Sequence, residues 1–276
     1  MKQFKNQSIR LLLIAVIAAL SLFLYADEDR QYGSERYAEK SLVGNTNIQS
    51  PITVIDLWYG DKQIFGYPGT AQRWINILGN VSCLAGMDRL SFSLNGSAES
   101  ILAIGPDGRR LVSDGDFNIE IDKGKLNIGI NRLAINAVDK NGSRASREVI
   151  VEFKENIWPL PYSVNWKSVS GIQEVVQVVD GVWILDGKGI RTHPKHVGYD
   201  RVIAIGDMNW KDYEVIIPVT IHRIDESAYR SRISKGPAFG INMHWLGHTD
   251  NPEKCFQPHC GWEPTGGSHW YKFRKG

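Results

Sequence analysis

From Pro51 onward, apolar and polar residues take turns along much of the chain. Leu90, Phe92 and Leu94 alternate with Ser91, Ser93 and Asn95, and Phe117, Ile119 and Ile121 alternate with Asn118, Glu120 and Asp122. A period of two sends successive side chains to opposite faces of an extended strand. The same reading predicts strands over 52–58, 73–81, 133–137 and 149–153. Turn signals separate them: Asn95-Gly96, Pro106-Asp107-Gly108, Lys123-Gly124 and Asp139-Lys140-Asn141-Gly142. About seven short strands in about 100 residues, with no helical period, predict a small antiparallel β-sandwich over 51–153.

Residues 154–161, KENIWPLP, carry two prolines and no alternation, and they mark a linker to a second domain over 162–276. Strands are predicted there at 175–179, 182–185, 202–205, 213–221, 239–245 and 269–273. The cleanest alternation of the whole chain is at 213–221, where Tyr213, Val215, Ile217, Val219 and Ile221 predict one buried face. Glu214, Thr220 and His222 sit on the other face, toward solvent or a ligand.

Two resemblances follow from particular residues. Gly129, Asn131, Leu133, Ile135, Ala137, Asp139 and Gly142 resemble the penultimate strand and hairpin of bacterial immunoglobulin-like modules. Cys83 is the only cysteine in that half, which excludes the antibody-type Cys–Trp–Cys core. Trp210-Lys211-Asp212-Tyr213-Glu214-Val215 resembles the strand signature of the concanavalin A-like (laminin G-like) jelly roll. Together they imply an all-β chain: an Ig-like β-sandwich, then a concanavalin A-like jelly-roll sandwich. The second has fewer strands than such a domain usually needs, so it is expected to be a reduced or truncated version. Jelly rolls of this kind mostly handle glycans, so the resemblance implies a glycan or surface polysaccharide as partner.

The N-terminus changes where this happens. Lys2, Lys5 and Arg10 precede an apolar run over 11–26 broken only by Ser21, and Asp27-Glu28-Asp29-Arg30 follows. Residues 1–26 are therefore a signal peptide or an N-terminal membrane anchor, with 27–50 a polar spacer. Leu24 stands where signal cleavage after Ala26 wants a small residue. Either way the body is expected outside the cytoplasm, anchored at the cell membrane or secreted. The segment holds three of the 32 basic residues and none of the 30 acidic ones, so the body has 29 against 30 and a net charge of −1. A near-neutral body argues against a nucleic-acid partner.

Candidate chemistry lies mostly in the last third. Cys255 and Cys260 are expected to close a small loop disulfide in an exported protein, with Cys83 a buried thiol; free thiols and a zinc site with His248 and His259 are the alternatives. Calcium near Asp207 and Asn209 is the one cofactor considered, since lectin-like jelly rolls often carry it in loops. Glycan hydrolysis on a jelly roll needs carboxylates at alternate positions of one strand. Asp212 with Glu214, and Glu120 with Asp122, each lack a third, which weighs against an enzyme. A glycosidase or lyase built from dispersed residues, and a protein-interaction module, stay as alternatives. Indole faces stack on sugar rings and nearby polar groups fix the hydroxyls. Trp262, Trp245, Trp270, His244, His248 and Glu263 are the candidate glycan-binding residues, and Trp210 is expected to be structural.

Overall fold

Alternation in the first half builds two facing sheets in the computed structural model, which describes residues 53–196, 200–224, 237–249, 257–261 and 267–272. The strands are β1 (Val54–Leu57), β2 (Lys62–Phe65), β3 (Trp74–Ser82), β4 (Met87–Leu94), β5 (Ser100–Ile101), β6 (Asp116–Asp122), β7 (Gly129–Asp139) and β8 (Arg144–Phe153). One sheet has the order β1-β3-β6 and the other β2-β8-β7-β4-β5. Neighbours run antiparallel except β2, which lies parallel to β8. Ile75, Ile77, Phe117 and Ile119 of the first sheet meet Leu90, Leu133, Ile135, Val149 and Val151 of the second in one core. These are the inward positions that the period of two selects. The first half is thus an all-β sandwich.

Gly79 shows how tightly the sheets are joined. A Cβ added there would lie 2.2 Å from the Asp56 carbonyl oxygen and 2.5 Å from the Phe117 ring. Gly79→Ala is expected to cost about 1–3 kcal/mol through overpacking, measured by chemical denaturation; an unchanged midpoint would mean the strands can part freely.

The second half is short ribbons, not a continuous sandwich. β9 (Gln177–Asp180) pairs with β12 (Val202–Ala204), β10 (Trp183–Leu185) with β11 (Ile190–Thr192), and β13 (Ala238–Asn242) with β14 (Ser268–Lys272). Among the described residues there are also short 3-10 turns and no α-helix. The expected strand at 213–221 is not formed. Residues 214–224 are exposed, Ile216 to 83%. Alternation states which face can be buried but supplies no hydrogen-bonding neighbour, and Pro218 removes a donor in the middle of the run.

By its contacts the chain divides into two units. One holds 49–214 with 225–276; the other holds 215–224 with 1–48, and the expected signal or anchor lies outside the described residues. Within the first unit, residues 154–161 are mostly exposed, Ile157 to 72%, and are anchored through Trp158. Trp158 is buried to 2% exposure, donates its backbone N–H to Asp207 Oδ2 at 3.1 Å and accepts Trp210 Nε1–H on its carbonyl at 2.7 Å.

Candidate functional site

Every residue of β6 from Asp116 to Ile121 is buried, on both faces of the strand, and so are Trp74 to Gly79 of β3. Odd-numbered positions face the sandwich core. Even-numbered ones, Trp74, Asn76 and Leu78 on β3 with Asn118 and Glu120 on β6, face outward and are covered by the second half. Leu78 packs on Val175, Val176 and Val178. Trp74 is the other large apolar side chain of this face, and Asn76, Asn118 and Glu120 are polar.

Polar groups away from water must be paired, and here they are joined in one network. Register places Asn76 opposite Glu120. Asn76 Nδ2 donates to Asn118 Oδ1 and to Glu120 Oε1, both at 3.1 Å, and Gln72 and Gln177 donate to Asn76 Oδ1. Asn118 Nδ2 donates to the Val179 carbonyl at 2.8 Å. Arg110 spans the two acids, with Nη1 2.8 Å from Glu120 Oε1 and Nη2 2.8 Å from Asp180 Oδ1. The loop bearing Arg110 is shaped by Asp107 Oδ1, which accepts the backbone N–H groups of Arg109, Arg110 and Leu111.

Two later segments complete the cluster. His259 approaches Glu120 Oε2 with its backbone N–H and its Nδ1, each at 2.7 Å. Gln257 and the Glu120 backbone exchange two hydrogen bonds. His248 lies between the acids, Nδ1 3.9 Å from Glu120 and Nε2 3.7 Å from Asp180. Trp74 stacks on His259 at 4.2 Å and donates its Nε1–H to the His248 carbonyl at 2.6 Å.

The electrostatics follow from burial around a single guanidinium. Burial works against the Glu120 carboxylate, but Arg110 and the histidines hold its pKa down to about 2. Burial lifts the Asp180 carboxyl to about 7 against the pull of Arg110. Burial, then Arg110, lowers His248 to about 3. Burial also disfavours the Arg110 cation, yet the two acids raise its pKa above the usual value. This acid pair is closed to substrate: the Glu120 side chain has no exposed surface, and the cavity beside Arg110 and Asp180 is about 20 Å³. That is room for about one water, whereas ligand pockets start near ~300 Å³.

The residues expected to meet a glycan are divided. Trp245 and His248 come together at 5.1 Å, but both are buried, at 9% and 5% exposure, and offer no face to a sugar. Trp245 packs on Val179 and Ala204, and Trp74 holds the His248 carbonyl. The alternation Phe239, Ile241, Met243, Trp245 puts Trp245 on the apolar face, while His248 lies beyond that pattern. His244 is exposed; its backbone N–H donates to the Tyr213 hydroxyl at 3.3 Å and its ring meets that of Tyr213 edge-on. Trp262 and Glu263 lie outside the described residues.

Trp270 is placed differently. It lies on β14, where Ser268 to Lys272 are all exposed, and its ring covers Gly240 of β13. On the other face of the ribbon Phe239 stacks on Tyr271 at 4.7 Å, and His269 meets Tyr271 edge-on at 4.7 Å.

Asp207, considered for calcium with Asn209, uses its oxygens otherwise. Oδ2 accepts the N–H groups of Thr70 and Trp158, and Oδ1 accepts the backbone N–H and the side-chain amide of Asn209. The carboxylate acts as a backbone clamp. Cys260 is disulfide-bonded and Cys83 is a free thiol; Cys255, the expected partner of Cys260, lies outside the described residues. Among the described residues no cluster of three or more His, Cys, Asp or Glu is arranged to hold a metal.

Sequence reasoning missed Arg110 and Asp180 altogether. Glu120 was visible only as half of an acid pair with Asp122, whose carboxylate in fact pairs with Arg73 at 2.9 Å. The available signal was Glu120 itself, an acid flanked by Ile119 and Ile121 on a strongly apolar strand.

No family model and no curated protein matches this chain. Among solved structures it is similar to an endo-beta-1,4-mannanase from Thermotoga petrophila, with a TM-score of 0.30 and 8% identity. The match covers 40% of this chain and 21% of that one, about a fifth of that protein's length, and a likeness of this size carries no argument about fold or activity.

Proposed function

We propose that this chain is an exported or membrane-anchored, non-catalytic surface protein that recognises a glycan with the β13–β14 ribbon. In this reading 51–153 is an Ig-like spacer, and the N-terminal apolar run carries the body out of the cytoplasm. The carrying observation is the ribbon itself. Trp270 and Tyr271 keep 47% and 53% of their surface exposed on opposite faces of a two-stranded antiparallel ribbon, with His269 beside Tyr271. Large aromatic rings left in water are a standing cost unless something stacks on them, and the C–H faces of sugars fit that role. Ser268, Asn242 and Lys272 supply polar groups along the same ribbon.

A glycan array probed with the full chain tests this. Trp270→Ala and Tyr271→Ala are each expected to weaken retention by about 2 kcal/mol, roughly 30-fold in Kd, with an unchanged unfolding midpoint because neither ring is buried. No retained glycan, or equal retention by both variants, would overturn the reading.

A further inference from the structure

The ribbon does not stand alone: its two strands rise from a stem seated on the sandwich. Residues 243–249 follow β13 directly and 257–261 precede β14, and Thr249 and Gly261 pair their backbones, N to O at 2.8 and 3.1 Å. Gly247 lies against Gln72 and Trp74, Arg73 N–H donates to the Leu246 carbonyl, and Ala103 N–H donates to the Gln257 carbonyl. Arg110 Nη1 donates to the His259 carbonyl at 2.5 Å. The polar anchors of this stem converge on Glu120.

We propose that Arg110, Glu120, Asp180, His248 and His259 form an acid-opened latch, which seats the ribbon's stem on the outer sandwich face and lets it go when Glu120 and His248 take up protons. The charged groups that surround it are Asp200 behind Asp180, Asp116 and Asp122 on β6, Arg73 beside Trp74, and Asp107 and Arg109 on the Arg110 loop. Arg109 Nη1 reaches Cys260 Sγ at 2.8 Å, next to His259.

In the seated form burial and then Arg110 hold His248 near 3 instead of its ordinary 6.5. Against the cost of burial, Arg110, joined by His259 and His248 of the stem, holds Glu120 near 2 instead of 4.5, so the histidines' share of the Glu120 shift is lost when the stem leaves. Both groups therefore bind protons more readily once the stem has left. Their contribution to seating is complete above 6.5 and 4.5 respectively, and is lost as pH falls through the seated values. Asp180 works in the opposite sense. Its seated value, about 7 against an ordinary 3.8, makes acid favour the seated form down to 3.8. His248 and Asp180 offset one another in mild acid, so the latch holds there and opens below about pH 4, when Glu120 titrates.

Hydrogen exchange on the full chain without glycan, from about pH 7.5 to about pH 3 and corrected for intrinsic rates, measures the latch directly. Amides of 243–249 and 257–261 should stay protected to about pH 5 and lose protection below about pH 4, while those of β7 and β8 stay protected. His248→Gln should hold the stem to a pH lower by about one unit, and Glu120→Gln should release it already at pH 7. Stem protection that persists to about pH 3, that disappears together with β7 and β8, or that is the same in His248→Gln as in the parent would overturn the proposal. The consequence for ligand capture rests on the ribbon's glycan reading. If the stem opens in acid while glycan retention stays constant, the ribbon reading fails and the latch stands.

Discussion

Arg110→Ala is expected to destabilise the protein by about 3–5 kcal/mol at pH 7, because it leaves two carboxyl groups inside with no cation between them. Glu120 and Asp180 have side-chain exposures of 0% and 5%, so water cannot replace the guanidinium without opening the interface. Urea denaturation measures the loss. A double variant, Arg110→Ala with Glu120→Gln, should recover part of it, since one uncompensated charge is then gone. A single-variant loss below about 1 kcal/mol would mean that water already reaches the cluster. Exchange should also increase first at 257–261, where Arg110 holds the His259 carbonyl.

Phe117→Ala is expected to cost about 3–5 kcal/mol by a different mechanism, the loss of a fully buried ring and the cavity it leaves. Phe117 has no exposed surface and packs among Ile77, Ile119 and the strands of the opposite sheet. The same urea curve reads it, and both sheets should lose protection together. A cost below about 2 kcal/mol would indicate that Gly79 and its neighbours can collapse into the space.

These two positions also mark how far the sequence could be read. Phe117 was legible because the period of two in DFNIEID assigns it to a core face, and the same pattern located β1, β3, β4, β7 and β8. The covering of the face bearing Asn118 and Glu120 was not legible, because local pattern says nothing about what arrives from far along the chain. The partners of Glu120 and Asn118 are His259 and Val179, which lie 139 and 61 residues away. β2 escaped because four residues, KQIF, give too little alternation, and its pairing with β8 is set by tertiary contact. The run at 213–221 failed in the other direction: perfect alternation with no neighbouring strand among the described residues to satisfy its backbone. In the candidate site Trp270 was recognisable as an aromatic on an alternating strand. The packing partners of Trp245 and His248 were not, since Trp245 rests on Val179 and Ala204 and the His248 carbonyl is held by Trp74, all set by tertiary contact.

The polar outer face of β3 and β6 has a consequence for a chain that is still being made. Synthesis delivers residues 53–153 long before His259 exists, and domains tend to fold as they emerge. The sandwich can therefore assemble while its covering is still missing. An apolar face waiting in that state would bind other chains, as exposed sheet surfaces do. Asn76, Asn118 and Glu120 instead keep the strip between Trp74 and Leu78 wetted until the later segments close over it. The same three side chains thus serve first as a soluble surface for a half-made molecule and then as the interior of the finished one.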